Sequence, residues 1–198
     1  MAKIYQLKIT LKNTKPAIWR RVQTNADISL NELHYLVQVV MGWGNSHLHQ
    51  FNCAGQYYGD ERLWQESFDD FDMRDSLTTK VEKVLKKEKD KILYEYDMGD
   101  SWDHNILLEK ITTVDIPLMH PICVKGAMRC PPEDCGGVWG YAELVETMKD
   151  PNSEEYEEMS EWLGVDEFDP AEFDLEWVNK RLKNFSTDVK GSDKNLII

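Results

Sequence analysis

The segment from Cys130 to Tyr141, CPPEDCGGVWGY, is the part of this chain that most constrains how it can fold. It combines two consecutive prolines with a Gly-Gly pair, two cysteines, two acids and two aromatic residues. Each proline fixes φ, removes a backbone donor and pushes the residue before it toward an extended conformation. The glycine pair then permits a tight turn or a close backbone approach. The segment therefore predicts a shaped loop that holds Glu133 and Asp134.

Periodicity predicts a sheet in the N-terminal two thirds of the chain. Residues 5–11 alternate between apolar and polar side chains, which is typical of a strand with one buried face. Further strands are predicted at 17–23, 47–54, 91–97, 103–113 and 121–125, and the glycine turn between the fourth and fifth of the six predicted strands indicates a hairpin. Ser29 and Glu32 form a capping box that begins a helix, and Gly42 stands at its C-terminal cap.

The last third of the chain is predicted to be helical. Ser153 is expected to cap one helix, and Asp169 to cap the last one, with Pro170 at its first position. The predicted fold class is α+β, with a mainly antiparallel sheet, one N-terminal helix and a C-terminal acidic helical layer. We expect residues 1–185 to form a single domain and residues 186–198 to be a polar, mobile tail.

The net charge of −13 is concentrated toward the C-terminus. Residues 133–176 contain sixteen acids and one base, Lys149, so this stretch carries −15 and the rest of the chain carries +2. Such a stretch repels phosphate backbones, which argues against broad nucleic-acid binding. It is either a solvated helical face or a docking surface for a basic protein partner.

Hydropathy and cysteine usage favour a cytoplasmic protein without membrane association. No run approaches the roughly 18 apolar residues that span a bilayer, and four cysteines are too few for a disulfide scaffold. The one basic cluster near aromatic residues is split by strand alternation onto two faces, so a nucleic-acid groove is not favoured. This cluster consists of Lys12, Lys15, Arg20 and Arg21.

Histidines and acids suggest a polar site where three segments would meet. His49, Asp100, His104 and Asp134, if the sheet brings them together, would supply imidazole and carboxylate ligands for a divalent ion such as zinc, manganese or iron. The same groups, with Glu133, could instead act as a general acid and base without a metal. The structural alternative is that the aspartates form turns and that His104 is a satisfied histidine at a strand end.

The cysteines raise a second metal hypothesis. Cys123, Cys130 and Cys135 would supply three thiolates, and one further ligand would close a tetrahedral zinc site. Their spacings differ from the paired C-x-x-C arrangement that indicates zinc. Buried free thiols are therefore favoured over metal ligands.

Five motifs, in order along the chain, resemble those of the plasmid pRiA4b ORF-3-like family, which is also described as the passenger protein of an insertion element. They are Pro16–Arg21, Ser46–Phe51, Tyr96–His104, the Cys130–Tyr141 loop, and Trp162–Leu163 with Phe168–Asp174. The resemblance extends from about Lys3 to Leu182. It implies a shared fold and a plasmid or mobile-element origin, and it implies no defined activity.

Two functions from different classes remain open. The first is a binding or interaction module that uses a polar cleft between the 97–104 hairpin and the 130–137 loop. The alternative is a metal-dependent hydrolase that uses the His/Asp cluster. The chain contains no phosphate-binding glycine loop, nucleophile elbow or zincin helix, and residues 21–24 lack the serine of a serine-recombinase motif.

Overall fold

The computed structural model describes residues 1–60 and 72–185. The expected tail, residues 186–198, lies outside the described residues. The strands are β1 (Ala2–Leu11), β2 (Trp19–Asn25), β3 (His49–Cys53), β4 (Gln56–Gly59), β5 (Arg74–Asp75), β6 (Lys91–Tyr96), β7 (Trp102–Val114) and β8 (Ile122–Ala127). The helices are α1 (Leu30–Met41), α2 (Val81–Val84), α3 (Gly137–Thr147), α4 (Glu154–Leu163) and α5 (Leu175–Leu182).

These strands form one sheet in the order β5-β4-β3-β6-β7-β1-β2-β8. The β4–β5 pair is parallel, and every other pairing among the described strands is antiparallel. The expectation of an α+β protein with a mainly antiparallel sheet is confirmed. No helix in the described part of the chain combines the length and the apolar character needed to cross a membrane.

The core forms where β1 and α1 bury their apolar side chains. Tyr5, Leu7, Ile9 and Leu11 alternate along β1 and are each at most 2% exposed. Removing one such aliphatic side chain costs about 2–5 kcal/mol, because buried apolar atoms are lost and the surrounding residues fill the resulting cavity only in part. β1 lies between β2 and β7, so this row of side chains fixes the register of three strands.

The ends of α1 follow from local chemistry. Ser29 Oγ accepts from the Glu32 amide at 3.0 Å, and the Glu32 side chain accepts from the Ser29 amide at 2.6 Å. Gly42 ends the helix in the left-handed conformation that a glycine adopts without strain. This end directs the chain toward Trp43 and the polar residues that follow it.

The beginning of α5 differs from the prediction. Asp174, not Asp169, caps this helix, and its Oδ1 accepts from the Trp177 amide at 2.8 Å. Asp169 instead holds a turn by accepting from the Ala171 amide at 2.8 Å. The Phe173 ring lies 4.2 Å from the Arg20 guanidinium, a packing contact that the non-helical chain before Asp174 allows.

Helix α5 packs against β8, an edge of the sheet. Asn179 accepts from the Cys123 amide at 2.9 Å and donates to the Cys123 carbonyl oxygen at 2.8 Å. One side-chain amide therefore occupies both backbone groups of an edge residue.

Candidate functional site

The tip of the β6–β7 hairpin, residues 97–101, is an aspartate-centred turn. Asp97 has a φ of 59°, and its Oδ1 accepts from the amides of Gly99 at 2.9 Å and Asp100 at 3.3 Å. Aspartate tolerates this left-handed backbone because its short carboxylate can bond to nearby amides. Asp97 Oδ1 is thus committed to the turn, and Oδ2 is left to face neighbouring segments.

The segment of residues 130–137, called the proline loop, packs directly on this tip. The Gly136 amide donates to Asp100 Oδ2 at 3.2 Å. A Cβ at Gly137 would lie 2.7 Å from the Asp100 carbonyl oxygen, which is too close for any residue except glycine. The expected cleft between hairpin and loop is therefore bridged by contact at this point.

His47, Asp97 and Asp134 meet where the tip and the proline loop join. His47 Nε2 lies 3.1 Å from Asp134 Oδ1 and 3.6 Å from Asp97 Oδ2. The nitrogen is buried, yet neither contact has the geometry of a hydrogen bond. These three residues each place one ligand atom within 4.8 Å of the other two. Within residues 1–60 and 72–185, no other group of three or more His, Cys, Asp or Glu side chains has this spacing.

Glu133 holds the segment that carries His47. Its Oε2 accepts from the Gly44 amide at 2.9 Å, and its Oε1 accepts from the Tyr96 hydroxyl. The same hydroxyl accepts from the Ser46 amide at 2.9 Å. Burial, reinforced by Glu133, raises the pKa of Tyr96 well above its ordinary value, so the phenol stays a donor. Glu133 is therefore a positioning residue in this arrangement.

The predicted quartet of His49, Asp100, His104 and Asp134 is not assembled. Of its members, only Asp134 belongs to the group around His47. The ring of His49 stacks on that of His34 with centroids 3.5 Å apart, and burial lowers the pKa of His49 to about 3.

His104 is fully buried on β7. Its Nδ1 donates to the Trp102 carbonyl oxygen at 2.9 Å, and burial lowers its pKa to about 4. His104 is thus a neutral imidazole packed among aromatic rings, with Trp43 edge-on at 5.4 Å. Nδ1 of His104 is therefore satisfied, whereas its Nε2 is buried without a hydrogen-bond partner among the described residues.

The cysteines do not form a three-ligand group among the described residues. Cys123 is buried on β8, and its thiol contacts the Lys125 carbonyl oxygen at 3.7 Å. Burial raises the pKa values of Cys130 and Cys135 to about 12. All three are free thiols that stay protonated at neutral pH.

The surface beside the proline loop is acidic and aromatic. Trp139 on α3 is 88% exposed and Trp162 on α4 is 51% exposed. A shallow groove of about 170 Å³ between these helices is lined by Asp134, Cys135, Gly140, Leu144, Met159 and Trp162. A groove of about 540 Å³ on another side of the loop is lined in part by Trp43, Arg129 and Phe173. Residues of the proline loop thus line both grooves.

The predicted quartet includes neither His47 nor Asp97. Both belong to motifs that were recognised, Ser46–Phe51 and Tyr96–His104. His47 precedes β3, so strand alternation does not govern its direction. The signal that could have found Asp97 is the D-x-G sequence, because an aspartate that begins a glycine turn keeps one carboxylate oxygen free of the turn.

Comparisons with known proteins agree with this architecture. The family model described as "Plasmid pRiA4b ORF-3-like protein" matches residues 3–177. A rhizobial relative, "Uncharacterized protein y4hQ" from Sinorhizobium fredii (strain NBRC 101917 / NGR234), is 34% identical over 187 residues, which cover 94% of each chain. The crystal structure of the protein of unknown function MM3350 from Methanosarcina mazei Go1 superposes with a TM-score of 0.78 at 36% identity. That similarity covers 89% of this chain and 97% of the other. The resemblance inferred from the five motifs is confirmed, and the chain belongs to the plasmid pRiA4b ORF-3-like family.

Proposed function

We propose that this protein is a binding module that docks a basic protein segment on its acidic face, which consists of α3 and α4 with Trp139 and Trp162. The observation that carries the proposal is Trp139, a large aromatic side chain that is 88% exposed. Burying an exposed tryptophan removes much apolar surface from water, and tryptophan is enriched among residues that dominate binding energy.

The charge of α4 supports a basic partner. This helix contains no buried residue. Its exposed glutamates form no ion pair with any lysine or arginine of residues 1–60 and 72–185. A partner rich in lysine or arginine would supply the missing cations, and the opposite charges would accelerate association.

The tryptophans add a contact that acids alone do not provide. A lysine or arginine placed over an exposed indole gains about 0.5–1 kcal/mol from the ring quadrupole. The aliphatic stems of the same side chains cover the indole and remove it from water. A basic segment therefore satisfies both features of the acidic face.

The basic cluster gives little support to nucleic-acid binding. Lys12 pairs with Asp103 at 2.8 Å, and Arg21 donates two hydrogen bonds to Glu109 at 2.6 and 2.9 Å. Arg20 is 2% exposed and donates to backbone carbonyl oxygens. Three of these four cations are thus engaged within the protein and unavailable to a phosphate backbone.

The other expectations fit this proposal in different degrees. A mobile-element origin remains part of the proposal. A cytoplasmic location also remains part of it, because free thiols such as Cys130 and Cys135 stay reduced in the cytoplasm. A hydrolase that uses His49, Asp100, His104 and Asp134 is the weaker candidate, because burial removes both histidines from any ligand in solvent.

Binding of a defined basic peptide tests the proposal. The probe is a fluorescently labelled helical peptide of about 18 residues built from lysine and leucine, followed by anisotropy, with a glutamate and leucine peptide as the charge-reversed probe. We expect the basic peptide to bind and its affinity to fall steeply as salt shortens the Debye length below about 10 Å. Trp139→Ala should weaken binding about tenfold or more, equivalent to at least about 1.4 kcal/mol.

Trp177→Ala is the matched control, because Trp177 is 45% exposed on α5, outside the acidic face. This variant should bind the peptide as the wild type does. Binding that ignores salt, or that Trp139→Ala and Trp177→Ala weaken equally, would reject docking on the acidic face.

A further inference from the structure

We infer that His47, Asp97 and Asp134 form a binding site for one divalent transition-metal ion, of the class of Zn²⁺ or Mn²⁺. The inference is independent of the proposed docking function, because it concerns the junction of the hairpin tip and the proline loop. It rests on ligand spacing, on the surroundings of His47 Nε2 and on the charge of Asp97.

The spacing of the three ligand atoms fits a single ion. A tetrahedral ion with bonds of about 2.1 Å separates neighbouring ligand atoms by about 3.4 Å. His47 Nε2 lies 3.1 Å from Asp134 Oδ1 and 3.6 Å from Asp97 Oδ2, and one ligand atom from each residue lies within 4.8 Å of the other two. The side chains can therefore close on an ion without movement of the backbone.

The surroundings of His47 favour a metal over a simple ion pair. A protonated imidazole would direct its N–H at a carboxylate oxygen, yet His47 Nε2 makes no hydrogen bond with either nearby oxygen. A buried nitrogen without a hydrogen-bond partner is costly in a folded protein. A metal ion between the nitrogen and the two carboxylates would satisfy it.

Asp97 needs a cation that the described chain does not provide. This residue is only 8% exposed, and its Oδ1 is occupied by two turn amides. No lysine or arginine of residues 1–60 and 72–185 pairs with Asp97 or Asp134, and His47 is their shared neighbour. A buried carboxylate is stable when it is paired or when it coordinates a metal. A divalent ion would balance the charge of both aspartates.

Hydrogen bonds tie together the segments that carry the three ligands. Glu133 ties the His47 segment to the proline loop through Gly44 and Tyr96. Asp100 ties the same loop to the hairpin tip through the Gly136 amide. Such supporting contacts fix the orientation of metal ligands, and their loss typically lowers metal affinity 10–100-fold.

The donor set narrows the class of ion. One imidazole with two carboxylates suits zinc, manganese or iron(II), whereas calcium and magnesium prefer oxygen ligands alone. Three protein ligands leave at least one coordination position open. Such a position would accept water or an oxygen-containing ligand, and the 69% exposure of the Asp134 side chain leaves one side of the cluster accessible to solvent.

Metal titration of the full-length, untagged protein tests the inference. After chelator treatment and dialysis, the protein is titrated calorimetrically with Zn²⁺ and with Mn²⁺, and the bound metal is counted by elemental analysis. We expect about one equivalent per chain. His47→Ala, Asp97→Asn and Asp134→Asn should each lower the affinity by more than about tenfold.

Matched controls keep the result specific. His120→Ala removes an imidazole far along the chain, and Asp103→Asn removes a carboxylate from the neighbouring strand, so both should bind metal as the wild type does. Asp134→Asn alters an exposed side chain, and an unchanged thermal melt would separate ligand loss from misfolding. Failure of the wild type to bind either metal overturns the inference. Metal binding that all three ligand variants retain also overturns the inference. Loss of the metal only when Cys130 is changed would overturn it in the same way.

Discussion

Replacing Gly137 with alanine tests the contact between the proline loop and the hairpin tip. The new Cβ would lie 2.7 Å from the Asp100 carbonyl oxygen, and the φ of +68° at this position is left-handed. A left-handed backbone costs an L-residue about 1–2 kcal/mol. Forcing a methyl group into packed structure costs about 1–3 kcal/mol more. We expect Gly137→Ala to lower the free energy of unfolding by about 2–5 kcal/mol, a fall in Tm of roughly 4–20 °C.

Gly164→Ala separates the two contributions. Gly164 has a φ of +65°, and a Cβ there would meet no atom within 4 Å, so this variant carries only the backbone cost of about 1–2 kcal/mol. Urea unfolding of both variants, followed by tryptophan fluorescence, gives their free energies of unfolding. The difference between the two losses is the cost of the contact between the new Cβ and the Asp100 carbonyl oxygen. Equal losses of stability in the two variants would refute the reasoning, because the Asp100 contact would then contribute nothing.

Three further perturbations have defined outcomes in urea unfolding. Ser29→Ala should cost about 1 kcal/mol by removing the α1 cap, and an unchanged midpoint would show that the capping box adds no stability. Arg20→Met should lower the free energy of unfolding by about 2–4 kcal/mol, because three carbonyl oxygens lose a buried donor. Lys12→Met should lower it by less than about 1 kcal/mol, because it removes only a part-exposed ion pair. The pKa values of His49 and His104 are lowered to about 3 and 4, so the unfolded state binds more protons once the pH falls toward the ordinary histidine pKa of about 6.5. Stability should therefore fall by about 2 kcal/mol per histidine between pH 7 and pH 5, and the full slope of about 1.4 kcal/mol per pH unit is reached only below about pH 6. A smaller fall in His104→Gln would support this assignment, and an equal fall would contradict it.

Local chemistry made much of the fold predictable from the sequence. The alternation in β1 depends only on which side chains avoid water, and Tyr5 and Leu11 are buried as that pattern predicts. The capping box of α1 lies within four consecutive residues, Ser29 to Glu32, so the chain needs no distant contact to form it. Elements of this kind carry their own boundary signals.

The site was less predictable because it depends on loop conformations and distant contacts. Asp97 and Asp134 both have left-handed φ values, of 59° and 60°, and strand periodicity does not describe such residues. The predicted strand included residue 47, whereas β3 begins at His49, so strand alternation does not set the direction of His47. Asp169 had the correct sequence for a helix cap, yet Asp174 caps α5. The meeting of His47 with Asp97 and Asp134 joins three segments that are distant in the sequence, and local patterns do not encode it.

The side-chain amide of Asn179 limits how one copy of this protein can associate with another. An edge strand with free backbone groups is a template on which a second chain can extend the sheet, and repeated addition leads to aggregates. Asn179 occupies the N–H and the carbonyl of Cys123 in the manner of a neighbouring peptide group. The chain thereby closes this position of β8 with a single side chain. Protection against intermolecular strand addition at this edge is built into the helix that packs on it.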